Sequence, residues 1–223
     1  MKIKIIKIVL VIIMIISLIN LFIWKNENNK TVEIITQTKK YINVDDKNFI
    51  DSKIKTINKD IVGWLTVDNT KIDYPVVQAN NNEYYLNHNL YKDYSSAGWV
   101  FMDSKNKLDD QNLIIYGHRR KDGSMFGSLG KLLNNNASGK IKLITENGTY
   151  YYNIFSVYKI EKEDNYRENN HNDFEKKVQE FKKRSIHNYN VDINNSKQII
   201  TLSTCYQDNR YRVVVHGIRI EEN

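Results

Sequence analysis

The chain has 223 residues, 41% of them hydrophobic and 26% charged, an ordinary balance for a packed core that excludes wholesale disorder. Its 9 Gly and 1 Pro exclude a collagen-like or proline-rich fibre, and its 1 Cys excludes both a disulfide scaffold and a zinc site built on two or four cysteines. The formal charge of +7 suits an acidic neighbourhood. No Lys/Arg stripe interleaved with stacking aromatics accompanies it, so nucleic acid is not an expected partner.

Residues 1–24 have a composition of their own. Lys2, Lys4 and Lys7 precede an uncharged run from Ile8 to Trp24. That run is close to the ~20 residues that cross a hydrocarbon core, and the isoleucines before Lys7 extend it. A cleavable signal peptide shares the basic start and the apolar stretch, but no A-x-A-like small-residue site follows. An uncleaved membrane anchor over 1–24 is therefore the expectation. The lysines on its N-terminal side place the N-terminus in the cytoplasm and the rest of the chain outside. Of the 33 Lys and Arg, 30 then remain beyond the anchor against 26 acids, a mild positive charge that fits an anionic membrane or cell wall.

Residues 25–44 are polar and rich in Asn, Lys and Thr, and read as a linker before a domain at 45–223. From Asp45 to Lys59 the spacing of Phe49, Ile50, Ile54 and Ile57 predicts a helix. Short β-branched and aromatic segments follow: Val62 to Val67, Lys71 to Val77, Gly98 to Met102, Leu113 to Tyr116, Ile141 to Thr145 and Thr149 to Ile160. Two more, Gln198 to Thr204 and Tyr211 to Ile220, end the chain. Helical patterns interrupt them at Ser124–Leu133 and Phe174–Ile186. About eight strands in one domain predict a mainly β fold, a closed or nearly closed barrel with peripheral helices.

Three residues stand where chemistry is possible. Cys205 closes the strand-like run KQIITLSTC; the ladder holds a nucleophile at a strand end rigidly while it reaches the surface. The competing reading is a small buried hydrophobe, and a lone exported cysteine has no internal disulfide partner. His118 ends another apolar strand in LIIYGHRRKDGSMFG, just before a Gly/Ser-rich turn. His88, His171 and His187 lie in Asn-rich segments and read as solvated, whereas His216, inside RVVVHGIRI, reads as packed or paired on a strand face. Arg212 opens the final strand seven residues after Cys205, close enough to stabilise an oxyanion or a thiolate, with Arg210 a rival on the same face.

These segments resemble the class B sortases, membrane-anchored cysteine transpeptidases of Gram-positive bacteria. The carrying residues are TLSTC (201–205), RVVVHG (212–217), IIYGHRRKDGSMFG (114–127), YPVVQANNNEYYL (74–86) and GWVFMD (98–103). The resemblance spans roughly residues 45–220 and implies the sortase-type eight-stranded barrel, with the helix at 172–186 as the extra helix of class B. It implies Cys205 as nucleophile, His118 as the family's histidine, and Arg212, the R of R-x-V-V-H-G, as its arginine in preference to Arg210. Asn82 and Leu86 match the N-x-x-Y-L segment that lines the sorting-peptide groove in this family. Ser203 and Thr204 precede the nucleophile and would face the peptide. Tyr166 is similar to a groove tyrosine, a looser match because Arg167 follows where the family often has an apolar residue.

The implied reaction cleaves a C-terminal sorting signal after Thr through a Cys205 thioester. The acyl group then passes to an amine of the peptidoglycan cross-bridge. The implied partners are an N-P-Q-T-N-like or P-x-T-G-like sorting peptide, the wall-precursor amine and the membrane through residues 8–24. No cofactor and no metal are expected. Two alternatives share the sequence: a membrane-anchored cysteine peptidase whose acyl-enzyme goes to water, and a non-catalytic wall-binding module.

Overall fold

Eight strands wrap into a barrel because β-branched and aromatic residues recur along the chain in runs that alternate between two buried faces. The computed structural model describes residues 2–40, 52–135, 138–161, 164–194, 196–206 and 210–221, with the backbone alone at 52–53 and 205–206. The strands are β1 (Ile61–Val67), β2 (Asp73–Val77), β3 (Phe101–Met102), β4 (Asn112–Tyr116), β5 (Lys140–Thr145), β6 (Gly148–Glu161), β7 (Ile199–Tyr206) and β8 (Tyr211–Ile220). They close in the order β1-β2-β3-β4-β7-β8-β6-β5. Closure leaves no unpaired edge. Two neighbouring pairs, β2 with β3 and β4 with β7, are parallel and the others antiparallel.

One face of the late strands fills the barrel and the other carries a helix. Ile200, Leu202, Val213 and Val215 point into the main core with Trp64, Leu65 and Leu143. Ile199, Val214 and Ile218 turn outward to meet Phe155, Tyr158, Val178 and Phe181. A register shift between Ile154 and Ser156 re-phases β6, so Ile154 and Val157 both face inward. Because both faces are covered, these strands read as nearly continuous apolar runs. The covering helix is α3 (Phe174–Arg184), after α1 (Lys2–Lys39) and α2 (Ser52–Ile57). Asp173 caps α3 by accepting from the Lys176 amide, and Lys182, Lys183 and Arg184 complement the dipole at its end.

A buried polar chain runs between barrel and outer layer. Asn112 Nδ2 donates to the Glu168 carbonyl at 2.9 Å, so its Oδ1 accepts from Thr201 Oγ1 at 2.6 Å. With the Thr201 proton so committed, His216 Nδ1 carries a hydrogen and donates to Thr201 Oγ1 at 2.8 Å. His216 Nε2 then accepts from the Tyr158 hydroxyl at 2.8 Å. The imidazole stacks on Phe181 at 4.0 Å and is wholly buried. This is the packed and paired histidine that the alternation with valines implies.

Several expectations are corrected. The segment read as a linker is helical as far as Lys39: α1 continues through it, with Thr31, Ile34 and Thr38 buried. Spacings of three and four make these residues one stripe of the helix. Lys30–Asp93 (2.9 Å), Lys39–Asp73, and Ser96 to Glu27 (2.5 Å) fasten the same stretch. Of the helix expected over 45–59, only Ser52–Ile57 is helical among the described residues, with Ile54 buried; Phe49 and Ile50 lie outside the described residues. The helix expected at Ser124–Leu133 is a 3-10 turn at Leu129–Leu133. Met125, at φ 49° and bridged to Arg119, breaks its first half. At 98–102 only Phe101 and Met102 join a ladder. The supposedly solvated histidines have partners: His88 stacks on Tyr84 at 4.1 Å, His187 lies 3.0 Å from the Leu133 carbonyl, and His171 packs edge-on to Phe181.

Burial holds His216 well below the ordinary imidazole value of 6.5, an effect that the nearby Arg184, His171 and Lys177 reinforce. His171 is lowered too, chiefly by burial. The unfolded chain therefore takes up protons that the native state refuses, and stability is full above pH 6.5 and falls as pH drops below it. Denaturant titrations are expected to show His216 contributing about 1.4 kcal/mol of lost stability per pH unit in that range. His216→Gln should flatten the slope by that amount while lowering stability at neutral pH.

Candidate active site

The site is assembled by ladder registers at one end of three adjacent strands. β4 and β7 run parallel with Tyr116 opposite Ser203, and the Gly117 amide continues the ladder to the Ser203 carbonyl at 3.4 Å. Two positions further along each chain stand His118 and Cys205, so both lie at the same rim. β7 and β8 are antiparallel with the Cys205 and Arg212 backbones directly opposite. Residues far apart in sequence thus come to one rim by backbone hydrogen bonding alone.

A cleft of about 390 Å³ opens there, within the range of small-ligand and peptide sites. Asn82, Leu86, His118, Tyr166, Ser203, Thr204 and Arg212 all line it. The structure therefore brings together these seven sequence-derived candidates; of Cys205 it gives the place in the ladder. Arg210 is exposed and outside the lining.

His118 is half-buried, with Nε2 2.7 Å from the Leu86 carbonyl. A carbonyl only accepts, so Nε2 carries the proton. The approach depends on Gly98. At φ +56°, a Cβ there would come within 2.6 Å of the Tyr85 carbonyl, 2.7 Å of the Leu86 carbonyl and 2.8 Å of His118 Cδ2. The residue that gives His118 its room also lets the Leu86 carbonyl reach the ring.

The opposite wall is a polar scaffold. Asn82 donates to Asp103 at 2.8 Å and accepts from the Ser104 amide at 2.7 Å. Asp103 also accepts from the Tyr116 hydroxyl at 3.0 Å. Burial, reinforced by the Asp103 charge, pushes the Tyr116 phenol far above its usual range, so it stays a donor. Tyr166 is buried and its hydroxyl meets Ser203 Oγ at 2.8 Å, while Asn112 holds the backbone just beyond it through Glu168. Thr204 Oγ1 is buried with no partner among the described residues. An unpaired buried hydroxyl is unfavourable, and one on a cleft wall suits a ligand's backbone donor or carbonyl. Arg167 and Arg212 make the lining cationic.

Asp103, Tyr116, Gly117 and Phe101 belong to this site although sequence reasoning gave them no role. The available signal was their place in GWVFMD and IIYGH, two of the segments that carry the resemblance. Asn112 carried no signal, because its partners lie 56 and 89 residues away.

The sortase domain model matches residues 65–220 of this chain. The chain belongs to the sortase family. Among characterised relatives, sortase B of Listeria monocytogenes is 39% identical over 175 residues, covering 74% of this chain and 71% of the relative. Sortase B of Staphylococcus aureus is 36% identical over 173 residues, with 73% and 71% covered. The solved Staphylococcus aureus sortase B–substrate complex superposes with a TM-score of 0.77 at 28% identity, covering 89% of this chain and 98% of that one. The eight-stranded closed barrel is like that of the solved sortase B structures, and the protein is a cysteine transpeptidase of the sortase B type.

Gly98→Ala should displace His118, since neither the φ nor the three contacts tolerate a Cβ. We expect a loss of roughly 1–3 kcal/mol of stability, read by thermal unfolding, together with shifted His118 imidazole resonances. Tyr166→Phe removes the bond to Ser203 and should cost about 1 kcal/mol, leaving those resonances in place.

Proposed function

We propose that this sortase cleaves a C-terminal sorting signal after Thr and transfers the acyl group to an amine of the peptidoglycan cross-bridge. The observation that supports it best is the convergence of His118, Arg212 and the Cys205 end of β7 on one cleft of a class B sortase. In the first step the Cys205 sulfur attacks the carbonyl carbon after Thr. The thiol proton passes to His118, the C–N bond breaks, His118 hands that proton to the departing amine, and a thioester remains. In the second, the incoming amine attacks the thioester, the C–S bond breaks, and the amine's proton passes through His118 to the departing sulfur, which restores the Cys205 thiol. Arg212 stabilises the oxyanion in both steps while keeping its own charge.

Asn82, Leu86, Tyr166, Ser203 and Thr204 are the peptide-binding residues in this reading. Asn82 is pre-oriented by Asp103, and Thr204 contributes a buried hydroxyl that has no partner among the described residues. The solved relative described as a substrate complex supports a sorting-signal peptide as partner; in this reading the signal is N-P-Q-T-N-like or P-x-T-G-like. The helix Lys2–Lys39 is long and apolar enough to cross a bilayer. We assign residues 1–24 as a single-pass anchor with its N-terminus cytoplasmic and 45–223 as the extracellular catalytic domain. Anchoring confines the enzyme to the layer where exported substrates and lipid-linked precursors meet.

Intact-mass spectrometry of the full chain in detergent, mixed with both kinds of peptide, tests this. A thioester adduct is expected, discharged by an added amine and absent in Cys205→Ala. His118→Ala and Arg212→Ala should each lower transfer by at least about 100-fold. Discharge to water alone despite excess amine would make the protein a peptidase, and no adduct from a folded chain would leave a wall-binding module.

A further inference from the structure

The apolar helix passes directly beside the loop that carries His118. α1 does not stop at the end of its apolar run but continues unbroken to Lys39, and its second half lies docked against the barrel through Thr31, Ile34 and Thr38. A continuous docked helix fixes depth. From Trp24 to Lys39 it rises about 22 Å, and a hydrocarbon core of ~30 Å counted back from Trp24 ends near Lys4. Lys2 and Lys4 then lie at one interface and Trp24 at the other, where amphipathic rings settle at headgroup level.

At that level the helix faces the catalytic domain. Leu21 and Trp24 form one side of a hollow of about 510 Å³, and His118, Arg119, Arg120 and Lys121 form the other. The loop is built rather than slack. The Phe126 amide bonds the His118 carbonyl at 3.0 Å, Arg119 bridges Met125, and Asp122 accepts from the Ser124 amide at 2.9 Å. Arg120 pairs with Asp122 at 3.4 Å, so the loop presents three cations against one carboxylate. Both the position and the charge match the phosphate layer of a bilayer.

We propose that the Arg119–Lys121 loop docks into the headgroup layer of the leaflet from which α1 emerges and binds the phosphates of anionic phospholipid. It thereby holds the His118 end of the cleft at the membrane surface. The proposal rests on the anchor reading above. Docking lets the cleft receive a polypeptide close to the point where it leaves the bilayer, without the barrel having to search for it. Individual cations near an anionic surface act additively and lose strength with salt.

The full chain in nanodiscs tests this, either with phosphatidylcholine alone or with phosphatidylcholine and phosphatidylglycerol in equal parts. In a Cys205→Ala background, which leaves no other thiol, a spin label is placed at Lys121→Cys or, as a control, at Lys183→Cys on α3. The label at 121 should be shielded from a water-soluble nickel relaxant and exposed to oxygen in the anionic discs, while the label at 183 stays wet. With Cys205 intact, transfer from a membrane-tethered sorting substrate should run roughly fivefold faster in anionic discs. Arg119→Gln/Lys121→Gln should abolish that difference and leave transfer from a short soluble peptide unchanged. Equal nickel access at 121 and 183 in an inserted chain overturns the proposal, as does a lipid dependence that survives the double variant. Failure of the chain to co-purify with the discs overturns the anchor reading and this proposal together.

Discussion

The parallel pairing of β4 with β7 is the constraint on which the site depends. Tyr116 and Ser203 are 87 positions apart, yet the ladder makes them neighbours and sends both chains out at the same rim. A slip of one residue would turn every side chain of β7 to the opposite face, moving Leu202 out of the barrel and Ser203 away from Tyr166. The register is held from both sides, because the inward set of Ile200 and Leu202 and the outward Ile199 are all buried. Packing energy in the body of the sheet therefore fixes the geometry of the rim, where His118 and Arg212 are only partly buried.

A second constraint is polar. The chain from Tyr158 through His216 and Thr201 to Asn112 has every proton assigned by its neighbours and ends on the backbone just beyond Tyr166. Such a network in a low-dielectric interior is favourable only when each member is satisfied. It ties the α3 layer to the outward face of β7 and fixes the tyrosine that meets Ser203. The layer that separates this barrel from a plain one is thus continuous with one wall of the cleft, and Phe181 stacked on His216 couples helix and network.

Much of this was legible in the residues. The β-branched segments gave eight strands whose borders moved by a few positions, and β8 stands where expected, at Tyr211–Ile220. His216 was readable because alternation with valines requires a buried face on both sides. The failures have physical causes. The turn at 124–128 has a helical spacing of apolar residues, but Met125 and Phe126 are buried by tertiary contact with the His118 loop rather than by a helix face. Residues 25–39 look like a linker because their polar side faces water, and only the barrel supplies the surface that buries Thr31, Ile34 and Thr38. His171 and His187 sit among asparagines in the chain and against Phe181 and Leu133 in space.

By itself the sequence determined the local facts: an apolar run long enough for a bilayer, the succession of strands, a lone thiol at a strand end and the order of motifs shared with the sortases. Those are properties of neighbouring residues, which periodicity and composition report directly. Only the tertiary structure decided that Gly98 makes room for His118, that Asp103 orients Asn82, that Asn112 holds the stretch beyond Tyr166, and that the helix from the membrane lies against the Arg119–Lys121 loop. Each of these joins residues from separate elements at hydrogen-bonding or van der Waals distance. Such pairings exist only once closure of the barrel has set the registers.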